Sequence, residues 1–90
     1  MLIVRYSTKF KKDFRACVKR GYNLSLLNQV IDTLRIPEAL PEKNRDHNLS
    51  GDYNGYKECH ILPDWLLIYK QTDEELQLIR TGTHADLFSR

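Results

Sequence analysis

The sequence has only two cysteines and no long hydrophobic run. These two features argue against a disulfide-rich secreted protein and against a membrane-spanning one. Cys17 and Cys59 are too few for a disulfide framework and fit a reducing compartment, so we expect a cytoplasmic protein. The longest unbroken apolar run is residues 65–69, five residues, whereas a membrane span needs about twenty. The apolar start of the chain precedes a basic stretch instead of following one, so we expect no secretory signal. The sequence therefore predicts no contact with a membrane.

Motifs for several kinds of chemistry are also missing. The four glycines are scattered and read as turn formers, with no glycine-rich phosphate loop and no serine-centred nucleophile elbow. The three histidines are separated by 13 and 24 residues, no two are spaced i, i+4, and no Cys-x-x-Cys accompanies them, so we expect no metal site and no cofactor. Cys59 alternates with Ile61 along one strand pattern, which predicts a buried, unreactive thiol.

The composition is that of a small globular protein. Of 90 residues, 41% are hydrophobic and 29% are charged, which argues against disorder and predicts one domain over residues 1–90. The net charge of +2 conceals a basic stretch between Arg5 and Arg20, where seven Lys/Arg accompany a single acid. Lys11, Lys12 and Arg15 from this stretch are candidate phosphate contacts. The alternative is the ordinary solvated face of a helix.

The first half of the chain predicts a strand and two helices. Residues 2–6 are apolar and β-branched, as in a strand. Ser7 can cap a helix that ends near Gly21, and Asn23 can cap a second helix that ends at Arg35, two residues before a proline. The short connection between the two helices predicts a helical hairpin.

The second half predicts an antiparallel meander. Residues 37–46 read as a loop, and Asn54-Gly55 predicts a type I′ hairpin turn. The expected strands are residues 56–62, 65–70 and 75–81, followed by a helical turn at 83–88. The predicted fold class is therefore α+β, in the order β-α-α-β-β-β, with a small antiparallel sheet packed against the N-terminal helical hairpin. One face of such a sheet stays open to solvent or substrate.

Several side chains that suit RNA chemistry fall within this meander. The candidates are His47, His60, Asp64, Trp65, Arg80, His84 and Phe88. Histidine titrates near neutral pH, so it can accept or donate a proton, and the arginine guanidinium matches phosphate oxygens. The aromatic rings offer surfaces on which an unpaired base can stack. The alternatives are surface histidines without a role and a tryptophan that belongs to the core.

Three spaced blocks of residues resemble a known family. They are D-H-x-L-x-G at 46–51, H-x-x-P-D-W-x-L-I-Y at 60–69 and R-x-G-T-H-x-x-L-F at 80–88. Together they resemble the YafQ branch of the RelE/ParE-type toxins of bacterial type II toxin–antitoxin modules. The resemblance implies a RelE-like fold and a ribosome-dependent mRNA endonuclease that needs no metal. It also implies a cognate antitoxin of the DinJ or RelB type, through which alone the toxin reaches operator DNA.

The resemblance also implies roles for the candidate residues. His84 is the expected general acid, and Arg80 is expected to stabilise the phosphate. His60 and Asp64 would act as the proton acceptor or orient it, and His47 would contact phosphate or assist proton transfer. Trp65 and Phe88 would shape the pocket for a base. Strict alternation places Arg80 on the face of Leu76 and Leu78, so a bulge or twist is needed to aim it at this site. The competing interpretations are a ParE-like or degenerate relative that acts by binding gyrase, or only its antitoxin and operator, and an RNA-binding module that does not cut.

Overall fold

The structure, a computed structural model, describes residues 1–88. Its strands are β1 (Ile3–Tyr6), β2 (His47–Asn48), β3 (Lys57–Leu62), β4 (Trp65–Gln71) and β5 (Glu75–Gly82); its helices are α1 (Thr8–Lys19), α2 (Leu24–Arg35) and α3 (His84–Phe88), with single 3₁₀ turns at Glu42–Asn44 and Gly51–Tyr53. None of the helices in this part of the chain has both the length and the apolar character needed to cross a membrane.

Both long helices begin at the capping residues that the sequence indicates. The Ser7 hydroxyl accepts a hydrogen bond from the backbone N–H of Phe10 at 2.9 Å, and the Asn23 side chain accepts one from the N–H of Ser25 at 3.2 Å. Each bond satisfies an N–H that has no partner inside the helix. The second helix ends at Arg35, as predicted.

The sheet is mixed, which corrects the expectation of a purely antiparallel one. Its strand order is β1-β5-β4-β3-β2. The pairs β2–β3, β3–β4 and β4–β5 are antiparallel, but β1 runs parallel to β5. Tight turns impose antiparallel pairing on β3, β4 and β5. β1 and β5 are instead joined through all the elements that lie between them in the chain, so no tight turn constrains the direction of β1.

The turn before β3 also differs from the prediction. A type I′ turn needs positive φ at both central residues, but Asn54 has φ −57° and ψ 132° and only Gly55 has a positive φ, of 94°. These angles, with the hydrogen bond from the N–H of Tyr56 to the carbonyl of Tyr53 at 3.0 Å, are those of a type II turn. The preceding 3₁₀ turn already bends the chain, which removes the need for a two-residue hairpin.

The main core lies between the sheet and the two long helices. Buried residues that meet there include Phe10 and Cys17 from α1, Leu27, Val30, Ile31 and Leu34 from α2, and Cys59, Trp65, Leu67, Tyr69, Leu76 and Leu78 from the sheet. The opposite face of the sheet, called the open face below, carries a smaller cluster of Leu66 and Ile68 covered by Leu87 of α3. The open face therefore has only partial cover, as the predicted two-layer arrangement requires.

A β-bulge in β5 changes which face Arg80 occupies. Leu78 pairs with Tyr69, but Arg80 pairs with Ile68, so Ile79 is an extra residue in β5. Residues paired across neighbouring strands lie on the same face. Because Ile68 belongs to the open face, the bulge moves Arg80 onto that face, away from the side of Leu78. The bulge that the sequence analysis required is confirmed.

Candidate active site

Two histidines converge on a buried carboxylate at the β2 edge of the open face. His47 pairs directly with Glu58 of β3, and His60 lies two residues further along the same strand. The Nε2 atoms of His47 and His60 lie 3.4 Å and 3.6 Å from Oε1 of Glu58. Glu58 is only 4% exposed, and its Oε2 is buried without a hydrogen-bond partner within residues 1–88.

Backbone carbonyls fix the orientation of both imidazoles. Nδ1 of His47 lies 2.7 Å from the carbonyl oxygen of Arg45, and Nδ1 of His60 lies 3.2 Å from that of Pro63. A carbonyl oxygen can only accept, so each Nδ1 carries the proton and donates it. In the neutral rings Nε2 therefore keeps its lone pair and can accept a proton or bind a cation.

A third histidine joins from the end of the sheet. His84 begins α3, and its Nδ1 lies 2.5 Å from Oδ1 of Asp64 in the β3–β4 turn, which also accepts the His84 backbone N–H at 2.9 Å. These two hydrogen bonds lower the pKa of Asp64 below its usual value. The His84 and His60 rings lie 5.7 Å apart, and the His60 and His47 rings 6.1 Å. We refer to these three rings as the histidine cluster.

The turn into α3 is shaped by a close backbone approach. Gly82 has a φ of 154°, and a Cβ placed there would lie 2.8 Å from a carboxylate oxygen of Asp86. The same carboxylate accepts the backbone N–H of Thr83 at 2.9 Å and pairs with Arg20 of α1. Glycine is therefore required at this position for β5 to end where His84 can reach Asp64.

Arg80 lies on the open face but binds a residue of α1. Its Nε and Nη2 donate to the Asp13 carboxylate at 2.6 and 3.1 Å, and the side chain is 18% exposed. The hydrogen bond with Asp13 raises the pKa of Arg80, with a smaller contribution from Tyr53. Arg80, Ile68 and Glu58 form one row across three strands, which places Arg80 about 10 Å from the Glu58 position at the usual strand spacing. The backbone of Arg80 thus lies two strands away from that of Glu58, and the Arg80 guanidinium is bonded to Asp13 of α1.

An aromatic group of three rings lies on the open face near Arg80. Tyr53 packs edge-on against Tyr56 and against Phe88, with ring centroids 6.2 Å apart in both pairs. Phe88 is half-buried over the cluster of Leu66 and Ile68. Its position is compatible with the predicted contact to a base, and Tyr53 adds a second ring that the sequence analysis did not include.

The predicted base-stacking role of Trp65 is corrected by its burial. Trp65 is 2% exposed and lies on the helix side of the sheet. Its ring packs against Tyr22 at 4.8 Å, and its Nε1 donates to the hydroxyl of Thr81 at 2.9 Å. A base has no open ring face to stack on here. Of the two interpretations of Trp65, the core residue is the one that the structure supports.

The three predicted cations of α1 point to two different places. Lys12 lines a cavity of about 370 Å³ between α1 and the end of β5, together with Lys9, Asp13, Ala16, Arg20, Arg80, Thr81 and Asp86. We call it the cationic cavity. Lys11 and Arg15 instead line a groove between α1 and α2 that contains Phe10, Phe14, Leu27 and Ile31. Only Lys12 therefore shares a surface with Arg80.

Two residues of the site were missed in the sequence analysis. Glu58 falls on the same strand face as His60, a signal that was available but unused. Asp13 is the single acid in the basic stretch, yet nothing local predicts its contact with β5. The expectation of no metal site rested on spacing along the chain. Cross-strand pairing nevertheless brings ligand atoms of His47, Glu58 and His60 within 4.8 Å of one another, and two imidazoles with a carboxylate suit a transition metal.

Comparisons with known proteins agree with this architecture. The family described as a bacterial toxin of type II toxin–antitoxin system, YafQ, matches residues 2–89. The chain is 42% identical over 87 residues to the mRNA interferase toxin YafQ of Escherichia coli K12, with 94% of each chain covered.

Solved structures extend the likeness to three dimensions. A copper-bound mutant toxin from Helicobacter pylori superposes with a TM-score of 0.93 at 43% identity, covering 98% of this chain and 100% of that one. The YafQ chain of the E. coli DinJ–YafQ toxin–antitoxin complex superposes with a TM-score of 0.89 at 40% identity, covering 97% of each chain. On the extent of these matches, the chain belongs to the YafQ family of bacterial type II toxins.

Proposed function

We propose that this protein is the toxin of a type II toxin–antitoxin module and an endoribonuclease that cleaves messenger RNA on the ribosome. The observation that carries the proposal is the convergence of His60, His84 and Asp64 on the open face of the sheet. Its support from outside the chain is the E. coli relative named an mRNA interferase.

The chemistry that this arrangement suits is internal attack within RNA. The 2′-oxygen of one nucleotide attacks the adjacent phosphorus, and the 5′-oxygen of the next nucleotide leaves. A base takes the proton of the 2′-hydroxyl, and an acid gives a proton to the leaving oxygen. The products are a 2′,3′-cyclic phosphate and a free 5′-hydroxyl. Side chains on the open face provide each of these functions without a cofactor.

His84 is the proposed general acid. Asp64 holds Nδ1, so Nε2 is left to donate a proton to the leaving oxygen. Asp64, whose pKa is lowered by its hydrogen bonds with His84, is ionised at neutral pH like any ordinary aspartate, and the carboxylate stabilises the imidazolium form that carries the proton. The side chain of His84 is 53% exposed, so RNA can reach it.

His60 is the proposed general base, because its protonated Nδ1 leaves a lone pair on Nε2. Asp64 then has an orienting role through His84, and His47 lies one ring further along the cluster, where it can contact the phosphate or assist proton transfer. Arg80 stabilises the charge on the pentacoordinate phosphate, and Phe88 contacts a base. Lys12 holds the backbone, and the exposed Lys11 and Arg15 contact RNA outside the catalytic face.

The proposed partners follow from the module. The structures of the E. coli relative contain a DinJ–YafQ complex, so we propose a cognate antitoxin of that kind, through which this toxin reaches operator DNA. The ribosome and messenger RNA are the proposed target, and the cytoplasm the proposed location.

The test is to induce the protein in a bacterial host and map the 5′ ends of ribosome-bound messages. New 5′-hydroxyl ends inside codons, absent with His84→Ala, are the expected result. Intact messages with a DNA-damage response would identify the ParE-like alternative. Ribosome binding without new ends would identify an RNA-binding module.

Metal-ion binding is a second candidate, favoured by the donor set of His47, Glu58 and His60. Carbonyls hold both Nδ1 atoms, as in histidines that bind metal through Nε2, and Oε2 of Glu58, which has no hydrogen-bond partner among residues 1–88, gives a further donor. A solved Helicobacter pylori relative is metal-bound. A metal held here would neutralise the buried carboxylate and occupy Nε2 of His60, so it would inhibit cleavage.

A further inference from the structure

We propose that the cationic cavity binds a backbone phosphate of the substrate RNA strand, next to the nucleotide that is cut. The inference rests on the proposed function, because the strand is taken to lie with its scissile phosphate on the open face. It assigns a ligand to a cavity outside the histidine cluster, and a role to Lys9.

The cavity has more positive charge than its own carboxylates balance. Arg20 is paired with Asp86 at 2.5 Å and Arg80 with Asp13 at 2.6 Å. Lys9 and Lys12 are exposed and have no carboxylate within 4 Å among residues 1–88. The surplus of two lysines therefore faces a space of about 370 Å³, and a phosphodiester group carries one negative charge.

The two arginines keep donors for a ligand. Asp13 engages Nε and Nη2 of Arg80, and Asp86 engages one hydrogen from each Nη atom of Arg20. A guanidinium has five N–H donors, so each arginine has donors left over. The carboxylates also hold both groups in fixed positions at the wall of the cavity, which lowers the entropic cost of binding.

Arg80 makes the cavity continuous with the open face. It lines the cavity with Lys12, and Tyr53 of the aromatic group approaches the same guanidinium. A strand whose scissile phosphate lies between His60 and Arg80 must continue past Arg80 in one direction. The next surface in that direction is the cationic cavity, so a phosphate of the same strand is the ligand that fits.

The test measures the salt dependence of RNA binding by the double variant Lys9→Gln/Lys12→Gln. The probe is a single-stranded RNA oligonucleotide with 2′-methoxy groups, which block cleavage. Each phosphate contact with a single strand contributes about 0.7 to the slope of log K against log salt. The expected result is a slope smaller by about 0.7, with weaker binding at low salt. Lys43→Gln, which removes one exposed charge beside α2, is the control for charge removal elsewhere on the surface and should keep the wild-type slope.

An unchanged slope in the double variant would overturn the inference. If the same variant also binds ribosomes or the antitoxin more weakly, the cavity is assigned to ribosomal RNA or to an acidic peptide instead. Cleavage of ribosome-bound messages by the wild type is measured in parallel. If the wild type leaves messages intact, the proposed function fails; if it cuts them and the slope is unchanged, only the phosphate site fails.

Discussion

The carboxylate of Asp13 binds both the Arg80 guanidinium and the backbone N–H of Thr81, so one residue of α1 fixes the end of β5. The distances are 2.6 Å to Nε of Arg80 and 3.1 Å to the Thr81 nitrogen. β1 pairs with β5 only as far as Leu78, and beyond that point no strand within residues 1–88 pairs with β5 on this side. Asp13 replaces the missing strand as acceptor, and the same contact holds Arg80 in place.

Substituting Asp13 should therefore affect stability and cleavage together. Asp13→Ala leaves the Thr81 N–H and a partly buried guanidinium without their acceptor, which we expect to lower the free energy of unfolding by about 2 kcal/mol. Urea unfolding measures the loss. Cleavage by folded protein should also fall, because Arg80 is no longer held. Asp32→Asn, on the exposed side of α2, is the control; equal behaviour of the two variants would contradict the positioning role.

His84→Ala should abolish most cleavage without unfolding the protein. A general acid contributes about 10²–10⁴-fold to rate, and removal of an exposed side chain changes stability by about 0.5 kcal/mol or less. Single-turnover cleavage on ribosome-bound mRNA gives the rate, and thermal unfolding gives the stability. A variant that cuts at the wild-type rate would exclude His84 as the acid.

Sequence patterns predicted the elements of this fold well because the signals for them are local. The caps at Ser7 and Asn23 and the apolar periodicity of α2 depend on neighbouring residues only. The parallel pairing of β1 with β5 joins residues more than seventy positions apart. No turn sequence links the two strands directly, so no local pattern predicts this pairing. Arg80 lies on the open face only because β5 contains a bulge. Strict alternation indicated that a bulge or twist was needed, but it could not show that one forms or where.

The site was predictable in its residue types but not in its connections. Alternation predicted that Glu58 lies on the same strand face as His60. The burial of Glu58 and its contact with His47 depend on the pairing of β2 with β3, which no local pattern predicts. Trp65 is a residue that the motif suggested for the site but that the fold does not place there. It follows Asp64 directly in the sequence, yet its side chain lies on the helix side of the sheet. Asp64 lies in the β3–β4 turn, whereas Trp65 begins β4 with its ring in the main core, so a motif can contain both site and core.

Trp65→Phe tests whether this residue belongs to the core. The phenyl ring keeps part of the packing with Tyr22 but loses the hydrogen bond to Thr81 and leaves space where the indole was. We expect the free energy of unfolding to fall by about 1–3 kcal/mol, measured by urea unfolding. The affinity of the folded variant for single-stranded RNA should match the wild type, since the ring is buried. A selective loss of RNA affinity at unchanged stability would restore the base-stacking interpretation.

Metal ions should stabilise the protein through His47, Glu58 and His60. Binding to the native state alone raises the free energy of unfolding by about 2.7 kcal/mol at a ligand concentration 100 times Kd. Thermal unfolding with Cu²⁺ or Zn²⁺ measures the rise, and the same metal should slow cleavage. Glu58→Gln should lose the metal-induced shift, whereas Glu38→Gln, in the loop after α2, should keep it. A chelator should leave cleavage by the wild type unchanged.

Acid should remove the contribution of the Arg20–Asp86 pair to stability in a defined pH range. The hydrogen bonds from Arg20, with that from the Thr83 N–H, hold the pKa of Asp86 well below its usual value. The native state therefore binds this proton less readily than the unfolded chain, whose aspartates titrate near pH 3.9. The contribution is complete above about pH 5 and is lost as the pH falls below 4.

Asp86→Asn should cost about 1 kcal/mol at pH 7, and the difference from the wild type should shrink toward zero in acid. Urea unfolding from pH 7 down to pH 2.5 measures it, with the exposed turn variant Asp73→Asn as control. A difference that stays constant across that range would mean that Asp86 acts through its shape and not through its charge.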